Sequence, residues 1–226
     1  MENNKIFKVE AAERHEVVEK LIRESSPRRS FFFMIIIATA LATLGLIMDS
    51  VAVVIGAMLV APLLSPVLNI GMGIVITDFR VIRLALVSVV QSIIFGVIIS
   101  AAIMLLNLHN QTDFALLYGL KPEMLFVYVA FLSGLAGAYA LGNPSLGEYL
   151  PGVAISVALV PPLAGIGIGI ALLDWQIISQ TLTLFGINLI CIILMSVLVF
   201  QLMGYHRERK SAEKAVQKEE KILKEE

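Results

Sequence analysis

The chain has 226 residues, 58% of them hydrophobic and 15% charged, with a formal net charge of −1. A soluble domain keeps about a quarter of its residues charged to cover its surface, so this composition excludes an ordinary water-facing globule. Of the seventeen Lys and Arg residues, seven precede Ser30, seven follow Tyr205 and only Arg80, Arg83 and Lys121 lie between. The balanced net charge therefore hides two mixed-charge tails around an almost uncharged middle, as a bilayer requires.

Residues 1–30 predict a cytoplasmic amphipathic helix and linker. Val17, Val18, Leu21 and Ile22 give it an apolar stripe, ended by Ser25-Ser26-Pro27. A cleaved signal peptide is not expected, because the first apolar stretch follows some thirty residues and continues for a full span. About 20 apolar residues cross the hydrocarbon layer as a helix. Six stretches qualify, at 31–48, 51–77, 81–106, 124–141, 153–173 and 177–203, and helix is the form that satisfies the backbone in lipid. Most connections are short, Asp49-Ser50 among them; the longer ones are an external loop at 107–123 and a turn-rich segment at 142–152 containing Asn143-Pro144. Residues 204–226 predict a charged helix with Ala212, Ala215, Val216, Ile222 and Leu223 on one side. Both tail helices are expected to be solvated or to rest on lipid; pairing with each other or with a neighbouring subunit is the alternative.

Six spans place both tails and the 2–3 and 4–5 loops on one side, with Arg23, Arg28, Arg29, Arg80, Arg83, Arg207, Arg209 and Lys210 close to the membrane. The opposite side holds only Lys121. The bias of Lys and Arg toward the cytoplasm puts both termini there.

Two parts of the chain resemble each other. Leu59-Val60-Ala61-Pro62-Leu63 matches Leu159-Val160-Pro161-Pro162-Leu163, then Gly71-Met72-Gly73-Ile74 matches Gly167-Ile168-Gly169-Ile170, and Asp78-Phe79 matches Asp174-Trp175. The change of spacing between the first two matches implies an insertion of about one turn. Each half, 31–106 and 124–203, holds three spans, and an odd number turns the second upside down relative to the first. The expected fold is an all-α polytopic membrane protein: two inverted three-helix repeats, each with a proline-broken second helix.

Proline lacks an amide hydrogen and crowds the carbonyl one turn earlier. Pro62 and Pro66 should free the carbonyls of Met58 and Pro62, and Pro161 and Pro162 those of Val157 and Ala158. New helical segments would then begin near Leu64-Ser65 and Ala164-Gly165, with partial positive charge. Freed carbonyls can hold a cation and amides at a helix start an anion; Ser65, Asn69 and Ser156 add side-chain oxygens. A single proline would read as a kink, whereas matched prolines in both halves favour a ligand or ion site. Gly71, Gly73, Gly165, Gly167, Gly169 and the row Ser92, Gly96, Ser100 are expected to serve helix packing, Gln91 and Asn188 to bond between helices, and Asp78 and Asp174 to cap them.

His15, His109 and His206 lie apart in tails or loops, and no ionisable group occupies the middle of a span. No nucleotide-binding loop ending in Gly-Lys-Ser/Thr is present, and Cys191 is the single cysteine. An enzyme is not expected, nor a cofactor, a metal or a nucleic-acid partner. Membrane lipid, a small solute or ion and a second copy of the chain are the expected partners.

The run Ala42-Thr43-Leu44-Gly45-Leu46, Asp49-Ser50 and Val53-Val54-Ile55-Gly56-Ala57-Met58-Leu59-Val60-Ala61-Pro62-Leu63-Leu64-Ser65-Pro66 resembles the uncharacterised hydrophobic-domain family numbered 389 among domains of unknown function. The resemblance covers roughly residues 31–203 and implies a prokaryotic multi-pass membrane protein of no established activity, in the plasma (inner) membrane. Many members carry a larger soluble domain, where this chain has short charged tails. Two readings follow: a transporter or channel with its site between the broken helices of spans two and five, or a non-transporting scaffold or sensor that oligomerises and recruits a partner or lipid through its cytoplasmic helices.

Overall fold

A computed structural model describes residues 9–107, 114–149 and 159–225. These residues contain helices and no strand. In chain order the helices are α1 (Ala11–Glu24), α2 (Arg29–Ile47), α3 (Val51–Val60), α4 (Leu64–Ile76), α5 (Phe79–Leu106), α6 (Ala115–Tyr118), α7 (Met124–Gly142), α8 (Val160–Leu172), α9 (Trp175–Leu202) and α10 (Arg209–Glu225). Short 3-10 turns cover Pro144–Tyr149 and Tyr205–Arg207.

Four of these helices, α2, α5, α7 and α9, are long and apolar enough to cross a membrane. The count becomes five if α3 and α4, bent by 49° across their short break, form one span. At 1.5 Å per residue the 13-residue α8 covers about 20 Å, short of the roughly 30 Å hydrocarbon layer. Residues 153–158, the first part of the fifth predicted span, lie outside the described residues.

The long helices build the framework. α5 packs along α8 and α4, α9 packs along α7, α8 and α4, and α2 packs along α3 and α5. Small side chains permit these approaches. A Cβ on Gly96 of α5 would lie 2.8 Å from Leu163 of α8, and Ser100 donates to the Ala164 carbonyl at 2.6 Å. The row Ser92, Gly96, Ser100 is thus a packing face. Outward faces carry Leu86, Val90, Ile94 and Ile98 of α5 and Leu182, Ile190, Leu194 and Leu198 of α9, all exposed. Such a continuous apolar skin is compatible with a multi-pass membrane protein.

Helices α4 and α8 correspond residue for residue. Both have 13 residues, and their bounds keep one separation, 64 to 160 and 76 to 172, or 96 residues. Each starts after a leucine, Leu63 or Leu159, whose carbonyl accepts from the residue four later. Each ends in a left-handed residue, Thr77 (φ 60°) or Leu173 (φ 55°), a conformation costing about 1–2 kcal/mol without glycine. Asp78 and Asp174 then cap the next helix, accepting from the Arg80 amide and from the Gln176 and Ile177 amides. This constant separation corrects the alignment read from the sequence. By this separation Pro162 stands at the place of Pro66 and not of Pro62, and α4 and α8 match without a one-turn insertion. Leu-Val-x-Pro-Leu recurs by composition, while register is set by the caps and glycine contacts. A Cβ on Gly71 would overlap the Ser196 hydroxyl of α9, and one on Gly167 would lie 2.6 Å from the Ser100 Cβ of α5. These pairs share the same separation, Gly71 of α4 nesting on α9 and Gly167 of α8 on α5.

The tails do not stand free in solvent, contrary to the sequence expectation. α1 packs on α10 and also on α4, burying Val17, Val18, Leu21 and Ile22 together with Ala212, Ala215 and Val216. Each large side chain so buried stabilises the tail by about 1.5–3 kcal/mol at most, which isolated solvation would forgo. Ion pairs join Arg14 to Glu208 at 3.3 Å and Arg28 to Glu219 at 2.5 Å. Tyr205, fully buried, donates to the Gly142 carbonyl at 2.7 Å; burial pushes its phenol well above the usual range, so it remains a neutral donor.

Candidate ligand site at the broken span

Local chemistry fixes the break between α3 and α4. The Ala61 amide still reaches the Ala57 oxygen at 3.2 Å, but Pro62 has no amide for Met58 and Pro66 none for Pro62. The next turn closes loosely, from Val67 to Leu63 at 3.5 Å. The chain therefore leaves one axis and resumes on another, with Leu64 and Ser65 as the opening residues of α4. Amides of a first helical turn have no intrahelical partner and carry partial positive charge.

Beside the break lies a cleft of about 540 Å3, lined by Arg23, Glu24, Ser26, Arg28, Ser30, Phe31, Met34, Leu59, Val60, Ala61, Pro62 and Ser65. The end of α1 forms one wall and is pinned in place. Ser65 donates to the Glu24 carboxylate at 2.8 Å, and Ser88 of α5 donates to the Ser25 carbonyl at 2.5 Å. Ser25 and Ser26 turn their own hydroxyls back onto the Leu21 and Ile22 carbonyls. Glu24 thus stands beside the amide end of α4, where a helix dipole favours a negative charge.

Asn69 lies one turn beyond Ser65 and is fully buried. Neither its amide nitrogen nor its oxygen has a hydrogen-bond partner among the described residues. Such an orphaned polar group costs about 1–3 kcal/mol, and nearly every buried amide in a native protein avoids it. Gln91 of α5 has the same defect at its Oε1, so its expected interhelical bond is not made through that oxygen.

The predicted site residues do not all meet. Pro62 and Ser65 line the cleft; Met58 is half-buried at the end of α3; Pro66 and Asn69 are buried inside α4. Pro161 and Pro162 are buried in the first turn of α8 and do not line this cleft. Ser156, Val157 and Ala158 lie outside the described residues. The second helix start also moves. α8 begins at Val160, so Ala164 and Gly165 sit one turn inside it and not at its opening. Proline is well suited to a first turn, where its fixed φ fits the helix and its missing amide leaves no orphan.

Glu24, Ser26 and Arg28 were not singled out as site residues. The stripe on α1 signals a buried face, but nothing local to α1 says that its end abuts the Pro62 break. Asp49 is similar: its carboxylate accepts from the Ala115 and Leu116 amides at 3.2 and 2.8 Å, tying the α2–α3 turn to α6. Among the described residues no three His, Cys, Asp or Glu side chains converge as metal ligands.

Residues 58–194 match the family described as a domain of unknown function (DUF389). The chain belongs to this family. An uncharacterised protein of the archaeon Methanocaldococcus jannaschii is 27% identical over 208 residues, a match covering 87% of the chain and 64% of that relative. The chain therefore spans a little under two thirds of that relative's length. No solved structure matches. The matched segment begins at Met58, so it takes in the break, both short helices and most of α9, while the tails lie outside it.

Proposed function

We propose that the chain is a non-enzymatic, multi-pass protein of a prokaryotic plasma membrane that passes a small solute or ion along a route opening at the α3–α4 break. The observation that carries this reading is Asn69, a fully buried amide without a partner among the described residues, one turn from Ser65 in the cleft. In a membrane interior, polar groups that neighbouring helices leave unsatisfied mark sites where another polar species passes. Glu24 and the loosened carbonyls near Pro62 add acceptors on the same path. In this reading the chain makes six spans, 153–173 being the fifth, and its two halves are inverted with both termini cytoplasmic. The reciprocal seating of Gly71 on Ser196 and Gly167 on Ser100 supports that relation.

The scaffold reading has less to stand on. It recruits a partner or lipid through the tail helices, and the apolar stripes of those helices are buried where α1 packs on α10 and α4.

Flux into vesicles holding the purified chain tests the proposal. Potassium, chloride and glycerol serve as separate probes. At least one should enter faster than into empty vesicles, and Pro62→Ala should slow that probe about tenfold or more by restoring helical hydrogen bonding at the break. Permeability equal to that of empty vesicles for all three would remove the proposed route.

A further inference from the structure

A second cavity, of about 370 Å3, lies where α5 meets α10 and the α1–α2 linker; it is lined by Pro27, Arg80, Arg83, Leu84, Val87, Glu220 and Leu223. We propose that it binds an anionic phospholipid, its phosphate held between Arg80 and Arg83 and an acyl chain laid along α5. The inference rests on the membrane reading above.

The spacing on α5 carries the argument. Residues 80, 83, 84 and 87 share one helix face, and they read Arg, Arg, Leu, Val. Both arginines are exposed, and among the described residues neither guanidinium makes an ion pair or hydrogen bond. The single bond at this point uses the Arg80 backbone amide, which donates to Asp78. Two neighbouring guanidiniums in the first two turns of a helix, whose start is itself partially positive, form a concentrated anion site. Past Val87, the exposed residues Val90, Ile94 and Ile98 continue the same face down the helix. A free phosphate would have no use for that apolar track, whereas a lipid uses both ends.

Glu220 on α10 is the opposing charge in the lining. It leaves the pair of arginines in excess and sets the direction of a control. Juxtamembrane basic residues contribute about fivefold each to the binding of anionic lipid.

The full chain is purified in detergent, and bound lipid is counted by native mass spectrometry after titration with phosphatidylglycerol or phosphatidylcholine. Phosphatidylglycerol should be retained preferentially. Arg80→Gln and Arg83→Gln should each reduce retention about fivefold, Glu220→Gln should raise it, and Arg207→Gln, at an exposed site outside the cavity, should leave it unchanged. Equal retention of the two lipids, or full retention by the Arg80→Gln, Arg83→Gln double variant, would overturn the inference. Competition by glycerol 1-phosphate as strong as by the lipid would also overturn it, by assigning the site to a soluble phosphate. Flotation with vesicles separates the two claims: a chain that fails to float contradicts the membrane reading, while one that floats without lipid preference contradicts only this site.

Discussion

Asn69→Leu is expected to raise thermal stability while abolishing flux. Leucine has the same branched outline of four side-chain heavy atoms as asparagine, with bulkier methyl groups and no polar atoms, so it removes the desolvation penalty of an amide that finds no partner among the described residues. Relief of about 1–3 kcal/mol corresponds to a rise in midpoint of a few degrees for a chain of this size. The same substitution removes the one amide that can exchange hydrogen bonds with a passing solute in α4. A packing role for Asn69 predicts the opposite pattern, a less stable variant whose flux falls only with the amount of folded protein. Thermal unfolding and vesicle flux, measured on the same preparation, separate the two.

The second large effect is expected at Gly167. A methyl group there would lie 2.6 Å from the Val97 carbonyl oxygen and 2.9 Å from the Ala101 amide, both backbone atoms that cannot rotate away. Gly167→Ala should therefore push α8 off α5 and destabilise the fold by about 3 kcal/mol, at the upper end of overpacking penalties. Gly56→Ala is the matched control. A Cβ at Gly56 meets nothing within 4 Å, and alanine in a helix interior gains about 0.5–1 kcal/mol over glycine. The yield of monodisperse protein and its melting temperature should move in opposite directions for the two variants. Equal behaviour would show that α8 is not held against α5 at Gly167.

Much of this architecture was legible because helix caps and apolar length are local signals. The Asp78 and Asp174 caps and the bend at Pro62 follow from residues within a few positions of each feature. The pairing of the glycines could not be read the same way. Gly71 and Gly167 looked like generic small residues, and only packing shows that each opposes a serine far away in the chain, Ser196 and Ser100. Alignment by the Leu-Val-x-Pro-Leu similarity also misled, because Pro62 and Pro162 share composition and not position. The tail helices were underestimated for a related reason. An amphipathic stripe shows that a face is buried, but α1 and α10 are at opposite ends of the chain, and nothing in either one names its partner. The candidate site suffered most from this, since Arg23, Glu24, Ser26 and Arg28 of the cleft wall come from the end of α1 and the linker after it.

Phe79 and Trp175 offer the most direct test of the inverted arrangement. They occupy equivalent positions at the starts of α5 and α9, and both are exposed, by 75% and 77%. In a Cys191→Ser background, a single cysteine is placed at one site or the other and challenged in sealed cells with a membrane-impermeant thiol reagent. The account predicts that the cysteine at position 175 reacts from outside, while the one at position 79 reacts only after the cells are opened. Reaction of both from the same side would contradict it.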